Sequence, residues 1–363
     1  MALTEQALQA ALQTVIDPNT GKDFVSTKSL KNLQIHQNDV SFDVVLGYPA
    51  KSQIPALRKD LIAAAKTVAG VANVSVNISS DIVAHAAQRG VQLLPQVKNI
   101  IAVASGKGGV GKSTTAVNLA LALAAEGASV GLLDADIYGP SQPMMMGIEG
   151  RPESEDGQTM EPLENYGVQV MSIGFLVDQD EAMIWRGPMA TQALEQLLRQ
   201  TNWRNLDYLI VDMPPGTGDI QLTLSQRVPM TGAVIVTTPQ DIALLDAKKG
   251  IKMFEKVGVP ILGLVENMAV HICTQCGHTE HIFGADGGKK MAASNGMDYL
   301  GALPLNMQIR LQADSGKPTV VADPDGDVAA IYKAMARQVA VKIAAKARDF
   351  SSKFPSINIS RQT

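Results

Sequence analysis

The chain has 363 residues, and because a domain typically has about 150, this length allows two domains, or three small ones, each with its own core. Apolar residues make up 46% and charged residues 18%, which excludes an intrinsically disordered chain. The net charge of -4 supplies no overall positive field for a nucleic-acid backbone, and no apolar stretch is long enough to span a bilayer. Because a signal peptide is also missing, we expect a cytoplasmic protein with neither nucleic acid nor membrane as partner.

Residues 1–80 predict a small α+β domain with the order helix, strand, strand, helix, strand. Apolar residues recur at helical spacing before the turn residues Asp17 to Gly21 and again after Pro55. In the three remaining segments they alternate at period two, as in strands of a half-buried sheet. Residues 81–97 have few apolar residues in register, and we interpret them as a linker.

From Asn99 onward the pattern changes to nearly continuous apolar runs separated by helices. Such runs are typical of a parallel sheet with both faces buried. The predicted strands cover 100–104, 130–134, 208–212, 233–236 and 261–265, and the predicted helices cover 114–125, 190–199 and 242–257. We therefore expect a doubly wound, mostly parallel α/β domain over 98–347, with ligands at the carboxyl ends of the strands, and a C-terminal tail over 348–363.

A glycine-rich loop follows the first of these strands. Residues Gly106 to Ser113 match the pattern G-x-x-x-x-G-K-[ST] of a P-loop NTPase, between a strand and a helix. Glycines allow the backbone N–H groups to wrap around phosphates, and we expect Lys112 to neutralise them and Ser113 to bind Mg²⁺. The predicted ATP-binding residues of the loop are Gly106, Lys107, Gly108, Gly109, Val110, Gly111, Lys112, Ser113 and Thr114.

Lys107 stands at the second position of this pattern. With it, the loop resembles the deviant Walker A motif of the MinD, ParA and nitrogenase iron protein class of ATPases. In that class this lysine reaches the phosphates of the partner in a homodimer that sandwiches the nucleotide. The resemblance thus implies a homodimer in which Lys107 and Lys112 are catalytic. It also implies that Asp136 positions the attacking water and that Asp212, at the end of its strand, contributes to the Mg²⁺ shell with Ser113.

Two further segments resemble the same class. Residues 213–219 look like a switch loop, in which the N–H of Gly216 senses the γ-phosphate. Asn267 resembles the asparagine that contacts adenine, and an amide can both donate to and accept from that base. Gly216 and Asn267 are therefore added to the predicted ATP-binding residues.

The two cysteines of the chain, Cys273 and Cys276, form a Cys-x-x-Cys-Gly sequence. This spacing lets both sulfurs face one metal ion; a thioredoxin-type redox pair shares it but would open a helix in a different fold context. Two interpretations stay open. The cysteines bind zinc with His278 and His281 of the same chain, or they supply half of a Cys₄ set that a symmetry-related chain completes around an iron–sulfur cluster. His271 lies in the same segment, residues 270–281, which we call the cysteine window.

The motifs together resemble the Mrp/ApbC iron–sulfur cluster carrier proteins. The matching segments are residues 105–115, 133–141, 185–189, 211–219 and 265–268, and the cysteine window with 282–284. The N-terminal segment resembles the SufT-type iron–sulfur maturation domain. The resemblance implies an ATP hydrolase with ATP and Mg²⁺ that binds a [4Fe-4S] cluster across a homodimer through Cys273 and Cys276. Its implied partners are apo iron–sulfur proteins and cluster scaffold proteins.

The N-terminal domain departs from some relatives, because it contains no cysteine and a thiol-based role cannot be carried over. Two alternatives to a cluster carrier remain. A spatial-organising ATPase like ParA or MinD would use the apolar stripe near the C-terminus, which includes Met335 and Val339 and has Arg348 nearby. A zinc-stabilised nucleotide-binding scaffold would use the cysteine window instead.

Overall fold

The computed structural model describes residues 3–88, 91–177 and 187–346. The N-terminal part is a three-stranded sheet on which two helices pack. Its elements are α1 (Glu5–Leu12), β1 (Leu30–His36), β2 (Asp39–Leu46), α2 (Ile54–Lys66) and β3 (Asn73–Ser80). Strand β2 is central, pairing antiparallel with β1 and parallel with β3. The predicted order αββαβ is confirmed.

A nine-stranded sheet forms the centre of the larger domain. Its strands are β4 (Val97–Ala104), β5 (Val130–Asp134), β6 (Leu163–Asn165), β7 (Val168–Ser172), β8 (Leu206–Asp212), β9 (Gly232–Thr237), β10 (Ile261–Ile272), β11 (Thr279–Glu280) and β12 (Tyr299–Pro304). The order runs β11-β10-β9-β4-β8-β5-β7-β6, with β12 also paired to β10. Among the described strands of this sheet, only the β6–β7 and β10–β11 pairs are antiparallel, which confirms a mostly parallel sheet.

Helices connect these strands and cover the sheet. They are α3 (Lys112–Ala125), α4 (Gln142–Met146), α5 (Gly187–Gln200), α6 (Asp219–Arg227), α7 (Asp241–Lys256), α8 (Gly287–Ser294), α9 (Met307–Asp314), α10 (Thr319–Ala322) and α11 (Asp327–Ala344). Helix α3 is buried along most of its length, which explains its nearly uninterrupted run of apolar and small residues. It packs between the sheet and α11.

Strand β10 is longer than the sequence pattern predicts. The expected strand ended at Val265, but the observed one continues to Ile272 because β9 pairs with its first half, β12 extends the pairing to Val270, and β11 pairs with its last two residues. Asn267 therefore lies within a strand, and the cysteines follow directly at its end.

Parts of the predicted linker and the apolar stripe near the C-terminus are buried. In the linker predicted over 81–97, Ile82 and Leu94 are buried, and the Gln88 side chain donates to the main-chain oxygens of Ser225 and Val257 at 2.8 and 2.7 Å. The apolar stripe of α11 is core as well, because Met335 and Val339 are 1% and 0% exposed.

Within the described residues, no helix is long and apolar enough to cross a membrane. Arg348, which the C-terminal pattern also included, lies outside the described residues, as do Trp185 and Arg186 of the matching segment 185–189.

A buried ion pair of the larger domain forms hydrogen bonds with the N-terminal domain. Glu126, directly after α3, pairs with Arg337 of α11. The Glu126 carboxylate also accepts the main-chain N–H and the hydroxyl of Ser52 at 2.9 and 2.6 Å. Arg337 in turn donates to Asn19 at 3.3 Å. The helix that begins at the glycine-rich loop thus ends on the N-terminal domain.

Candidate functional site

The glycine-rich loop lies where β4 ends and α3 begins, at the carboxyl edge of the parallel sheet. Gly109 and Gly111 have φ angles of +80° and +82°, a conformation that side chains rarely adopt. Gly106 is needed for space, because a Cβ there would lie 2.1 Å from the main-chain carbon of Asp246 in α7. Gly111 is the N-cap of α3 and leaves the first N–H groups of the helix without a side-chain cap. This arrangement fits a phosphate.

Lys112, Ser113 and Asp212 come together beside this loop. The Lys112 ammonium pairs with one carboxylate oxygen of Asp212 and lies 3.0 Å from the Ser113 hydroxyl. Both charged side chains are buried, at 6% and 0% exposed. A carboxylate and a hydroxyl are oxygen ligands of the kind Mg²⁺ prefers, so the residues present fit the ion.

Gln142, which no sequence motif includes, also contacts Asp212 and Ser113. Its Nε2 donates to the second carboxylate oxygen of Asp212 at 2.8 Å and to the main-chain oxygen of Ser113 at 3.1 Å. The available signal was a polar residue that directly follows Ser141, at the start of the otherwise apolar α4.

Two further aspartates lie at the end of β5, the strand next to β8: Asp134 is its last residue, and Asp136 follows it. Asp134 lies opposite Asp212 in the register, and it accepts the N–H groups of Ser141 and Gln142 at 3.0 and 3.1 Å. Burial, and then the charge of Asp212, raise the pKa of the Asp134 carboxyl above its usual range. Asp136 is half-buried, and desolvation raises the pKa of its carboxyl even though the N–H groups of Gly139 and Tyr138 act in the opposite direction. Asp134 thus fixes the loop from which Asp136 projects.

The predicted switch loop lies against the glycine-rich loop. The Gly216 N–H donates to the main-chain oxygen of Ser105 at 3.1 Å, and Gly216 has a φ of +100°. The Ser105 hydroxyl donates to the main-chain oxygen of Lys107 at 2.9 Å. Gly216 therefore lies beside the glycine-rich loop that contains Lys107, and the roles of both residues toward nucleotide stay predictions.

Asn267 supports the glycine-rich loop from β10. Its Nδ2 donates to the main-chain oxygen of Val110 at 2.9 Å, and its Oδ1 accepts the N–H of Met268. A Cβ on Gly111 would lie 2.1 Å from that Nδ2, so the contact requires glycine. The predicted contact of Asn267 with adenine stays a prediction.

The cysteines lie in the connection of the β10–β11 hairpin. Cys273 is half-buried and Cys276 exposed, and both are free thiols. The Cys273 N–H donates to the main-chain oxygen of His278 at 2.9 Å, and the Cys273 oxygen accepts the N–H of Gly277 at 2.8 Å. Backbone N–H groups of Gln275 and Cys276 that point at the Cys273 sulfur lower the pKa of its thiol, which favours the thiolate.

The neighbouring histidines have other partners. His281 donates to the main-chain oxygen of Ala269 at 2.8 Å, and His271 to that of Leu305 at 3.1 Å. His278 lies 3.6 Å from Glu280. Across residues 3–88, 91–177 and 187–346, no three His, Cys, Asp or Glu side chains are grouped so that they could hold a metal ion. The hairpin of one chain thus presents two thiols and no third ligand beside them.

The similarity to known proteins covers both domains. A family model described as NUBPL iron-transfer P-loop NTPase matches residues 96–340, and one described as iron-sulfur cluster assembly protein matches residues 5–76. The chain is 62% identical over 269 residues to an iron-sulfur cluster carrier protein of Pseudomonas fragi, covering 74% of this chain and 94% of the relative. It is 50% identical over 327 residues to an iron-sulfur cluster carrier protein of Escherichia coli strain K12, covering 90% and 89%.

Among solved structures, a nucleotide-binding protein from Archaeoglobus fulgidus in complex with ADP is similar, with a TM-score of 0.56 and 36% identity over 64% of this chain and 90% of that one. The family model, the relatives and the geometry of the glycine-rich loop agree. The chain therefore belongs to the NUBPL iron-transfer P-loop NTPase family of iron–sulfur cluster carrier proteins.

Proposed function

We propose that this chain hydrolyses ATP and carries a [4Fe-4S] cluster as cargo between two copies of itself, delivering it to apo-proteins. The observation that carries the proposal is the hairpin at the end of β10, which presents two thiols with no third metal ligand beside them among the described residues. A [4Fe-4S] cluster takes four thiolates, and two such hairpins on a two-fold axis would supply them. The same observation favours a shared cluster over a zinc site within one chain.

The nucleotide site supplies the ATPase side of the proposal. Lys112 would neutralise the phosphates, while Ser113 and Asp212 would hold Mg²⁺, which offsets the negative charge that develops during phosphoryl transfer. Asp136 is held by turn N–H groups beside this site and would position the attacking water. Lys107 would reach the nucleotide of the partner, so the loop would be a deviant Walker A motif and the active form a homodimer.

A single strand connects nucleotide and cargo. Asn267 bonds the glycine-rich loop, and Cys273 follows six residues later on the same chain segment, at most about 20 Å away. A change in the loop on nucleotide binding would therefore move β10 and the hairpin with it. The conformation of the glycine-rich loop would thus affect the position of the thiols through β10, so hydrolysis and cluster release would be coupled.

The test uses cluster transfer and a matched pair of variants. Asp136→Asn removes the charge that would orient the water, and ATP hydrolysis should fall about 100-fold or more. Asp156→Asn is the control, because Asp156 also accepts two turn N–H groups, at 2.8 and 2.7 Å, but lies in an exposed loop away from the site. Hydrolysis by the control should be unchanged.

Cluster-loaded protein is then mixed without oxygen with an apo-enzyme that needs a [4Fe-4S] cluster, and the activity that the apo-enzyme regains is measured. We expect ATP to change the rate of transfer by the wild type and by Asp156→Asn, but not by Asp136→Asn. Equal ATP hydrolysis in all three proteins, or no transfer by the wild type, would refute the proposal.

A further inference from the structure

Gln142 has an unusual position for a neutral side chain. It is 0% exposed and lies in the first turn of α4, and its backbone N–H is fixed by the Asp134 carboxylate at 3.1 Å. Its Nε2 bridges Asp212 and the main-chain oxygen of Ser113, whereas its Oε1 finds no hydrogen-bond partner among the described residues. Exchanging the two amide atoms would place Oε1 against two acceptors, so the hydrogen bonds assign the orientation.

The contacts of Lys112 explain why such a side chain is needed. Its ammonium now pairs with Asp212 and the Ser113 hydroxyl. Under the proposed function, this ammonium turns to the phosphates, and the same Asp212 and Ser113 turn to Mg²⁺. Asp212 is fully buried, and even when a cation balances its charge, a buried carboxylate needs hydrogen bonds to its remaining lone pairs. The Gln142 amide is neutral, so neither the arriving phosphates nor the metal ion repels it.

We propose that Gln142 is a positioning residue, which orients the Asp212 carboxylate and the Ser113 main chain for the Mg²⁺ of the bound nucleotide. This inference rests on the proposed nucleotide chemistry. Its Nε2 keeps one carboxylate oxygen of Asp212 occupied and leaves the other for the metal shell. The unpartnered Oε1 is a buried acceptor whose cost is removed when a donor, such as a metal-bound water, enters with the nucleotide.

The test measures metal affinity separately from nucleotide affinity. Gln142→Met keeps the volume of the side chain but removes its donor and acceptor. The probe is fluorescent N-methylanthraniloyl-ADP, which is not hydrolysed, titrated with chelator present and then over a range of Mg²⁺ concentrations. We expect the half-saturating Mg²⁺ concentration to rise about ten-fold in the variant, because a hydrogen bond to a carboxylate is lost, while affinity in chelator changes less than about two-fold.

Gln169→Met is the matched control. Gln169 is a buried glutamine of β7 that exchanges two hydrogen bonds, of 2.9 and 3.1 Å, with the backbone of Arg204, away from the site. Gln169→Met should lower the free energy of unfolding about as much as Gln142→Met does, and it should leave the Mg²⁺ dependence of probe binding unchanged. If Gln142→Met does not fold, Gln142→Asn is used, which keeps the amide but is one methylene shorter. The half-saturating Mg²⁺ concentration should then also rise, but by less than in Gln142→Met.

The outcomes separate the inference from the proposed function. An unchanged Mg²⁺ requirement in the Gln142 variants would overturn the inference alone, and so would an equal loss of affinity with and without Mg²⁺, because that would indicate a merely structural role. If the wild type binds the probe with no dependence on Mg²⁺, the proposed magnesium site fails and the inference fails with it.

Discussion

Replacing Arg337 by methionine should lower the free energy of unfolding more than the loss of an exposed ion pair does. The substitution leaves the Glu126 carboxylate, which is 0% exposed, with Ser52 as its remaining partner. Breaking a buried pair costs about 3–5 kcal/mol, and because Ser52 still donates twice, we expect the lower end, about 3 kcal/mol. The double variant Arg337→Met, Glu126→Gln removes the charge as well and should recover about half of that loss.

The free energy of unfolding is measured by urea denaturation followed by circular dichroism. The control is Arg227→Met, because Arg227 pairs with Glu195 at 2.6 Å but is 56% exposed, and such pairs contribute at most about 1 kcal/mol. If Arg337→Met lowers the free energy of unfolding no more than Arg227→Met does, the buried Arg337–Glu126 pair does not stabilise the protein as inferred. The reasoning would also be refuted if the effects of Arg337→Met and Glu126→Gln simply added.

Two other predictions concern the loop and the hairpin. Gly106→Ala should abolish nucleotide binding, because the new Cβ would lie 2.1 Å from the backbone of α7. Gly109→Ala has open space around the Cβ but a φ of +80°, so it should lower stability by only about 1–2 kcal/mol. Isothermal titration with ADP and thermal denaturation measure the two effects, and equal effects of both variants on ADP binding would contradict the prediction. In cluster-free protein, the N–H groups at the Cys273 sulfur should lower the pKa of its thiol and increase its thiolate fraction. The rate at which Cys273 reacts with iodoacetamide should therefore level off at a lower pH than the rate for free N-acetylcysteine. The Cys276→Ser variant isolates the Cys273 rate, and a pH profile that matches N-acetylcysteine would show that those N–H groups do not stabilise the thiolate.

The glycine-rich loop could be predicted because everything that defines it is local. The residues 106–113 carry the pattern, a strand precedes them and a helix follows. The cysteine pair is equally local. Strand β7 was not predicted although it is fully buried, because Gln169 interrupts its apolar residues and only the distant Arg204 backbone satisfies that side chain. The second half of β10 was not predicted as strand, because it contains polar residues and is held in the sheet by pairing with neighbouring strands.

Contacts between residues that are distant along the chain could not be predicted from the sequence. Gln142 and Asp212 are 70 residues apart, and Glu126 and Arg337 are 211 apart. A buried ion pair and a lone glutamine give no periodic signal, and their partners are defined only once the sheet order and helix packing bring them together. The residue types of the site were thus predictable, whereas the groups that orient them were not.

The stoichiometry of the reconstituted cluster tests the central claim most directly. The protein is loaded with iron and sulfide without oxygen, and iron, acid-labile sulfide and native mass are measured on the same sample. We predict four iron and four sulfide for two chains in a dimer, and loss of both from the Cys273→Ser, Cys276→Ser double variant. A monomer that keeps its cluster, or iron that the double variant retains, would contradict a cluster shared between two hairpins.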